Sequence, residues 1–127
     1  MTIQRVDPGD VNEIQLSAAG QSDWIALKTV YNPFECSLTL SKGAADDLEA
    51  SVEYINIPDP DAGPIPAERL RTIQFLTDGG LKKQKIELIG GVDYLDGPLE
   101  WPVSHIRLNV TAFASGTATL TVLQPGR

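Results

Sequence analysis

The stretch Ser104-His105-Ile106-Arg107-Leu108-Asn109-Val110-Thr111-Ala112-Phe113-Ala114-Ser115-Gly116-Thr117-Ala118-Thr119-Leu120-Thr121-Val122-Leu123 decides the fold class. Successive side chains of a β-strand point to opposite faces. Here apolar and polar residues alternate in the same way. Ile106, Leu108, Val110 and Ala112 share one face, and His105, Arg107, Asn109 and Thr111 share the other. Beyond Ala114-Ser115-Gly116, the apolar Ala118, Leu120 and Val122 alternate with Thr117, Thr119 and Thr121. Glycine reaches positive φ without a steric penalty, so Ala114-Ser115-Gly116 reads as the tight connection of a β-hairpin.

The same period extends upstream. Val11 to Ala18 places Ile14, Leu16 and Ala18 together, and Glu35 to Leu40 places Cys36, Leu38 and Leu40 together. Trp24 to Tyr31 is a β-rich run closed by Asn32-Pro33. Leu48 to Asn56 fits a strand through Leu48, Ala50, Val52 and Tyr54, and a helix through Ala45, Leu48, Val52 and Ile55. The clustering of Val, Tyr and Ile and the closing Pro58 favour the strand. Ile57 to Pro66 carries four prolines and reads as a loop, because proline lacks the N–H that a ladder or helix needs. Pro66 to Arg71 can open one helical turn. Thr72 to Thr77 and Lys82 to Ile89 read as strands, the latter between Gly79-Gly80 and Gly90-Gly91, and Asp96-Gly97-Pro98 reads as a turn. Many short strands separated by turn residues predict an all-β, single-domain antiparallel β-sandwich, jelly-roll-like, over residues 11–127 with an arm at 1–10.

Composition narrows the function. A chain of 127 residues suits one domain. Its 17 acids against 10 bases give a net charge of −7. Nucleic-acid binding and anionic membrane surfaces both run on a surplus of Lys and Arg, so neither is expected as a partner. One Cys and one His exclude the common Cys/His zinc sites within one chain. The first ten residues lack the apolar core of a signal peptide, and the longest strictly hydrophobic run is Trp24 to Leu27, so synthesis in the cytoplasm without export is expected. Asn109-Val110-Thr111 matches a glycosylation sequon, which strand alternation explains without export.

Constellations that could carry chemistry are weak. Asp46, Asp47, Glu49, Glu53, Asp59 and Asp61 occupy one stretch without a base. Asp59-Pro60-Asp61-Ala62-Gly63 opens like a calcium loop but lacks its later oxygen ligands and closing Glu, so a solvated acidic loop is the plainer reading. Paired carboxylates for glycoside hydrolysis would have to converge, which spacing alone does not provide. Cys36 lies on the apolar parity and His105 on the polar one, which opposes a nucleophile pair. No Gly-x-Ser-x-Gly elbow accompanies His105, and no Gly-Lys-Ser/Thr follows the paired glycines. Trp24, Trp101, Tyr31, Tyr54 and Tyr94 could line a sugar site, although such residues more often fill a sandwich core. No catalytic, cofactor or metal residue is therefore expected, and the chain reads as a non-enzyme.

Charge distribution says more. Arg69, Arg71, Lys82, Lys83 and Lys85 make a locally basic stretch in an otherwise acidic chain, and every acid lies at or before Glu100. An acidic and a basic region on one small chain can meet head to tail between copies, or meet a complementary partner surface. Thr117 to Gln124 carries no charge, and such a strand is either central in its sheet or buried by another subunit. Thr117, Thr119 and Thr121 are accordingly candidate oligomer contacts.

The segment Pro102 to Gln124, with its Ile-Arg-Leu-Asn-Val-Thr strand, Ser-Gly turn and Thr-rich strand, resembles the C-terminal pattern of small β-sandwich virion proteins of tailed bacteriophages. Ser17-Ala18-Ala19-Gly20-Gln21-Ser22 and Asn32-Pro33-Phe34 look similar as well; residues 57–100 match no part of the pattern. The resemblance implies a structural protein of the head decoration, or cement, type. Its partners would be the major capsid protein and itself, as a homodimer or homotrimer on the capsid exterior, with no cofactor. The basic stretch would face the capsid. A neck or tail position, or a carbohydrate- or receptor-binding sandwich at a tail tip, is the alternative.

Overall fold

The computed structural model describes residues 4–5, 11–27, 36–57, 59–60, 63–76, 82–99 and 102–124. Among the described residues, thirteen strands run in chain order: β1 (Gln4–Arg5), β2 (Val11–Leu16), β3 (Gly20–Gln21), β4 (Ile25–Ala26), β5 (Ser37–Ser41), β6 (Leu48–Ile55), β7 (Arg71–Thr72), β8 (Phe75–Leu76), β9 (Lys82–Lys83), β10 (Lys85–Ile86), β11 (Tyr94–Pro98), β12 (His105–Phe113) and β13 (Ala118–Leu123). A 3-10 turn, Ala67–Arg69, follows Pro66, which enters in extended backbone.

One sheet takes the order β1-β4-β12-β6-β10, with β3 on β12 and β7 on β6; the other takes β11-β5-β13-β2, and β8 pairs with β9. Of the strands β2, β4, β5, β6, β10, β11, β12 and β13, one sheet holds the first, eighth, third and sixth, and the other the second, seventh, fourth and fifth. That is the strand order of a jelly roll. The inward residues of both sheets fuse into one core: Ile25, Leu48, Ala50, Val52, Ile86, Ile106, Leu108 and Val110 from the first, Leu38, Leu40, Leu95, Ala118, Leu120 and Val122 from the second. Alternation therefore assigned the inward face correctly on the long strands, and Leu48–Ile55 is a strand, not a helix.

Four expectations are corrected. The strands around Ala114-Ser115-Gly116 do not pair as a hairpin. β12 pairs with β3, β4 and β6, and β13 pairs with β2 and β5, so the turn arches from one sheet to the other. A Ser-Gly turn and period-two strands look the same in either case; what differs is the partner of each strand, which lies far away in sequence. Ala112 leaves the core face because a β-bulge between Val110 and Ala112 slips the register, pairing Ala112 with Glu49. Asp96-Gly97-Pro98 is not a turn but the end of β11, paired to β5 from Asp96↔Thr39 to Pro98↔Ser37. β11 is an edge strand, and an edge tolerates a proline whose nitrogen has no donor. Finally, Lys82 to Ile89 is broken: β9 pairs with β8, while β10 joins β6.

The acidic stretch is largely structural. The Asp46 carboxylate accepts the N–H of Gly43 at 3.0 Å and that of Thr117 at 3.2 Å. Asp47 exchanges backbone hydrogen bonds with Ala114 and Ser115. Together they clasp the β5–β6 loop to the β12–β13 arch. Lys42, largely buried, donates from Nζ to the Asp46 carbonyl at 3.1 Å. Glu49 pairs with Lys85, and Glu53 with Arg107. Of the arm, Gln4–Arg5 runs parallel to β4 within the first sheet.

Candidate functional site

The core-facing and outward faces of β12 carry different chemistry. Cys36 sits in the core cluster, whereas His105 lies on the opposite face of its sheet, paired with Ile55 and Ala26. Those three outward residues are nevertheless buried, as is Trp24. The outer face of the first sheet is thus covered at this end. Trp24 is 1% exposed, with the Arg107 guanidinium 4.3 Å from its ring centroid. Arg107 Nε in turn donates to Glu53 Oε1 at 2.8 Å. A ring held this way offers no stacking platform to a sugar; Trp101 and Tyr31 lie outside the described residues.

Ser104 organises the same end. Its Oγ donates to the Ile55 carbonyl at 2.9 Å, accepts the Ile57 N–H at 3.0 Å and lies 2.9 Å from His105 Nδ1. Ser22 is buried because its Oγ accepts the Leu108 N–H at 2.9 Å, while its own N–H reaches the Leu108 carbonyl. It fills the ladder between β3 and β4. Sequence patterning missed this role, which has no local signal beyond a serine between two short strands.

Burial pushes the Cys36 thiol up to about 12. The thiolate is the reactive form, so folded protein at pH 8 should leave an aromatic disulfide reagent unconsumed, and should consume one equivalent once unfolded in guanidinium. The folded-state value lies above the ordinary one near 9, so this group stabilises the fold fully below that pH. The contribution falls as pH rises from about 9 toward 12, and Cys36→Ala should lack that alkaline slope.

The basic residues divide into two groups. Lys83 pairs with Glu87 at 3.7 Å and Lys85 with Glu49 at 3.4 Å, so both are partly neutralised within the chain. Arg69, Arg71 and Lys82 are exposed and have no carboxylate within ion-pair distance among the described residues. Lys82 borders a groove of about 380 Å³ lined chiefly by Tyr54, Ile73, Phe75, Leu76 and Leu99. Arg71 lies opposite Tyr54, one of the groove residues, in the β6–β7 ladder. The groove combines an apolar floor with a cationic rim. Sequence alone flagged the rim but not the floor, since β6, β8 and β11 meet there only through the fold.

Thr119 and Thr121 lie on the outward face of β13, half-buried and central in the sheet, next to Ser41 and Thr39 of β5. Thr117 Oγ1 is 2.8 Å from Ser17 Oγ. The uncharged strand is central, the first of the two arrangements its composition allowed. Among the described residues, no cluster of His, Cys, Asp or Glu has the arrangement to hold a metal ion. Among the same residues, no helix is long and apolar enough to cross a membrane.

Fold and surface together define an all-β jelly-roll module with a rimmed apolar groove. No protein-family model matches the chain. No curated protein matches it in sequence. It is similar to the crystal structure of the SPBc2 prophage-derived protein YomS, with a TM-score of 0.47 and 9% identity over 92% of this chain and 96% of that one. At that identity no residue role transfers between the two.

Proposed function

We propose that this chain is a virion structural protein of a tailed bacteriophage, and specifically a non-enzymatic decoration protein that cements the head. It would be made in the host cytoplasm and bind the capsid exterior across neighbouring major capsid protein subunits. One observation supports this above the others. The segment that resembles phage virion proteins supplies a central strand to each sheet, β12 in one and β13 in the other. The likeness therefore falls on the part of the chain that builds the sandwich. Cementing needs no bond-making: burial of apolar and complementary charged surface, repeated over many copies, stabilises the shell by mass action.

Arg69 and Arg71 are the contact residues of choice, because neither is drawn into an ion pair among the described residues. Purified protein titrated onto heads that lack it should bind saturably and raise their disruption temperature. Arg69→Glu together with Arg71→Glu should weaken binding about tenfold or more. Saturable binding with no gain in heat resistance would reject cementing and leave decoration. Binding to tails and not to heads would move the protein to the neck or tail.

A further inference from the structure

The groove has a counterpart on the same chain. The turn between β10 and β11 exposes two neighbouring aliphatic side chains, Leu88 at 41% and Ile89 at 60%. It is rigidly closed: Gly91 N–H donates to the Leu88 carbonyl at 2.9 Å, Glu87 N–H donates to the Val92 carbonyl, and Gly90 holds a φ of +90°. Glu87 and Asp93 flank it. The turn is thus a preformed apolar knob, with Asp93 on one side and Glu87, paired with Lys83, on the other. The groove presents the reverse, an apolar floor that leaves Leu76 63% exposed, beside Lys82.

Knob and groove are separate surfaces of one chain. β11 starts at Tyr94, just beyond the knob, and reaches the groove at Gly97, Pro98 and Leu99. Three extended residues, Tyr94, Leu95 and Asp96, at about 3.3 Å each separate the two by about 10 Å along the strand. We propose that the 87–91 turn of one copy docks into the groove of a second copy, head to tail. Leu88 and Ile89 cover Leu76 and Phe75, and the Asp93 side faces Lys82. A contact between different surfaces closes into a ring or continues as a filament. Because the turn is already ordered, little conformational freedom is lost on docking. The inference is independent of any capsid and goes beyond the decoration reading.

The test uses full-length protein alone, followed by sedimentation equilibrium over a range of concentrations. Wild type should associate reversibly, less tightly as salt rises. Ile89→Asp and Leu76→Asp should each weaken association at least about 30-fold. Both positions are exposed, and unchanged circular-dichroism melts would confirm intact folds. Lys82→Glu, which alters the rim without touching an apolar residue, should weaken it about tenfold. An equimolar mixture of Ile89→Asp and Leu76→Asp should form dimers that grow no further, since one chain keeps a groove and the other a knob. A wild type that stays monomeric at its highest soluble concentration, variants that associate as wild type does, or a mixture that stays monomeric would each overturn the proposal. Failure on capsids with self-association intact would remove only the decoration reading.

Discussion

Gly116→Ala should lower the melting temperature by about 10–20 °C. Gly116 adopts a φ of +98°, a conformation that a side chain enters only with strain. Holding a non-glycine residue there costs about 1–3 kcal/mol. A Cβ at this position would also stand 2.2 Å from Asp46 Cγ and 2.3 Å from Asp46 Cβ. Asp46 cannot swing away freely, because its carboxylate holds the N–H groups of Gly43 and Thr117. Forcing the overlap adds about 1–3 kcal/mol more. Asp46→Gly removes the clashing atoms, so the double variant should be less destabilised than the two single losses added together. Purely additive losses in a thermal melt would show that the two loops are not locked by this contact.

Arg107→Ala should cost about 2–4 kcal/mol and shift tryptophan emission to the red. The guanidinium and the Glu53 carboxylate are 14% and 12% exposed, so removing one leaves the other desolvated and unpaired. The cation also covers the Trp24 ring, a contact worth about 0.5–2 kcal/mol where water is excluded. Arg107→Met with Glu53→Leu leaves neither charge stranded and should recover most of the loss in stability. The emission shift should persist in Arg107→Ala even where the protein remains folded. An unshifted spectrum would mean that Trp24 is shielded by something other than Arg107.

Much of this architecture was legible in the sequence because period-two alternation and burial share one cause. Leu38 and Leu40, Ile106 to Val110, and Leu120 and Val122 all point where their spacing directs them. Strand partnership was less legible. Ala114-Ser115-Gly116 bridges two sheets because β6 and β4 flank β12 while β5 and β2 flank β13, and those neighbours are separated from it by up to a hundred residues. Asp96-Gly97-Pro98 has turn chemistry yet lies in a strand, because an edge excuses the missing donor. The basic residues were visible as a cluster, but their inequality was not. Lys83 and Lys85 are engaged by Glu87 and Glu49, and only the folded chain sets Lys82 beside an apolar floor.

The sheet-to-sheet arch also dictates an order of events. β12 inserts between β4 and β6, and β13 between β2 and β5, so each sheet has its middle filled by strands synthesised after its flanks. On the ribosome, the earlier strands therefore wait as unzipped halves, with Leu38, Leu40, Leu48 and Val52 lacking the strands they will rest against. Neither half can close until residues 105–123 have emerged, and closure then spans most of the chain at once. Such distant pairings form in milliseconds to seconds, not microseconds. The nascent chain is most exposed to misassociation just before its last strands arrive.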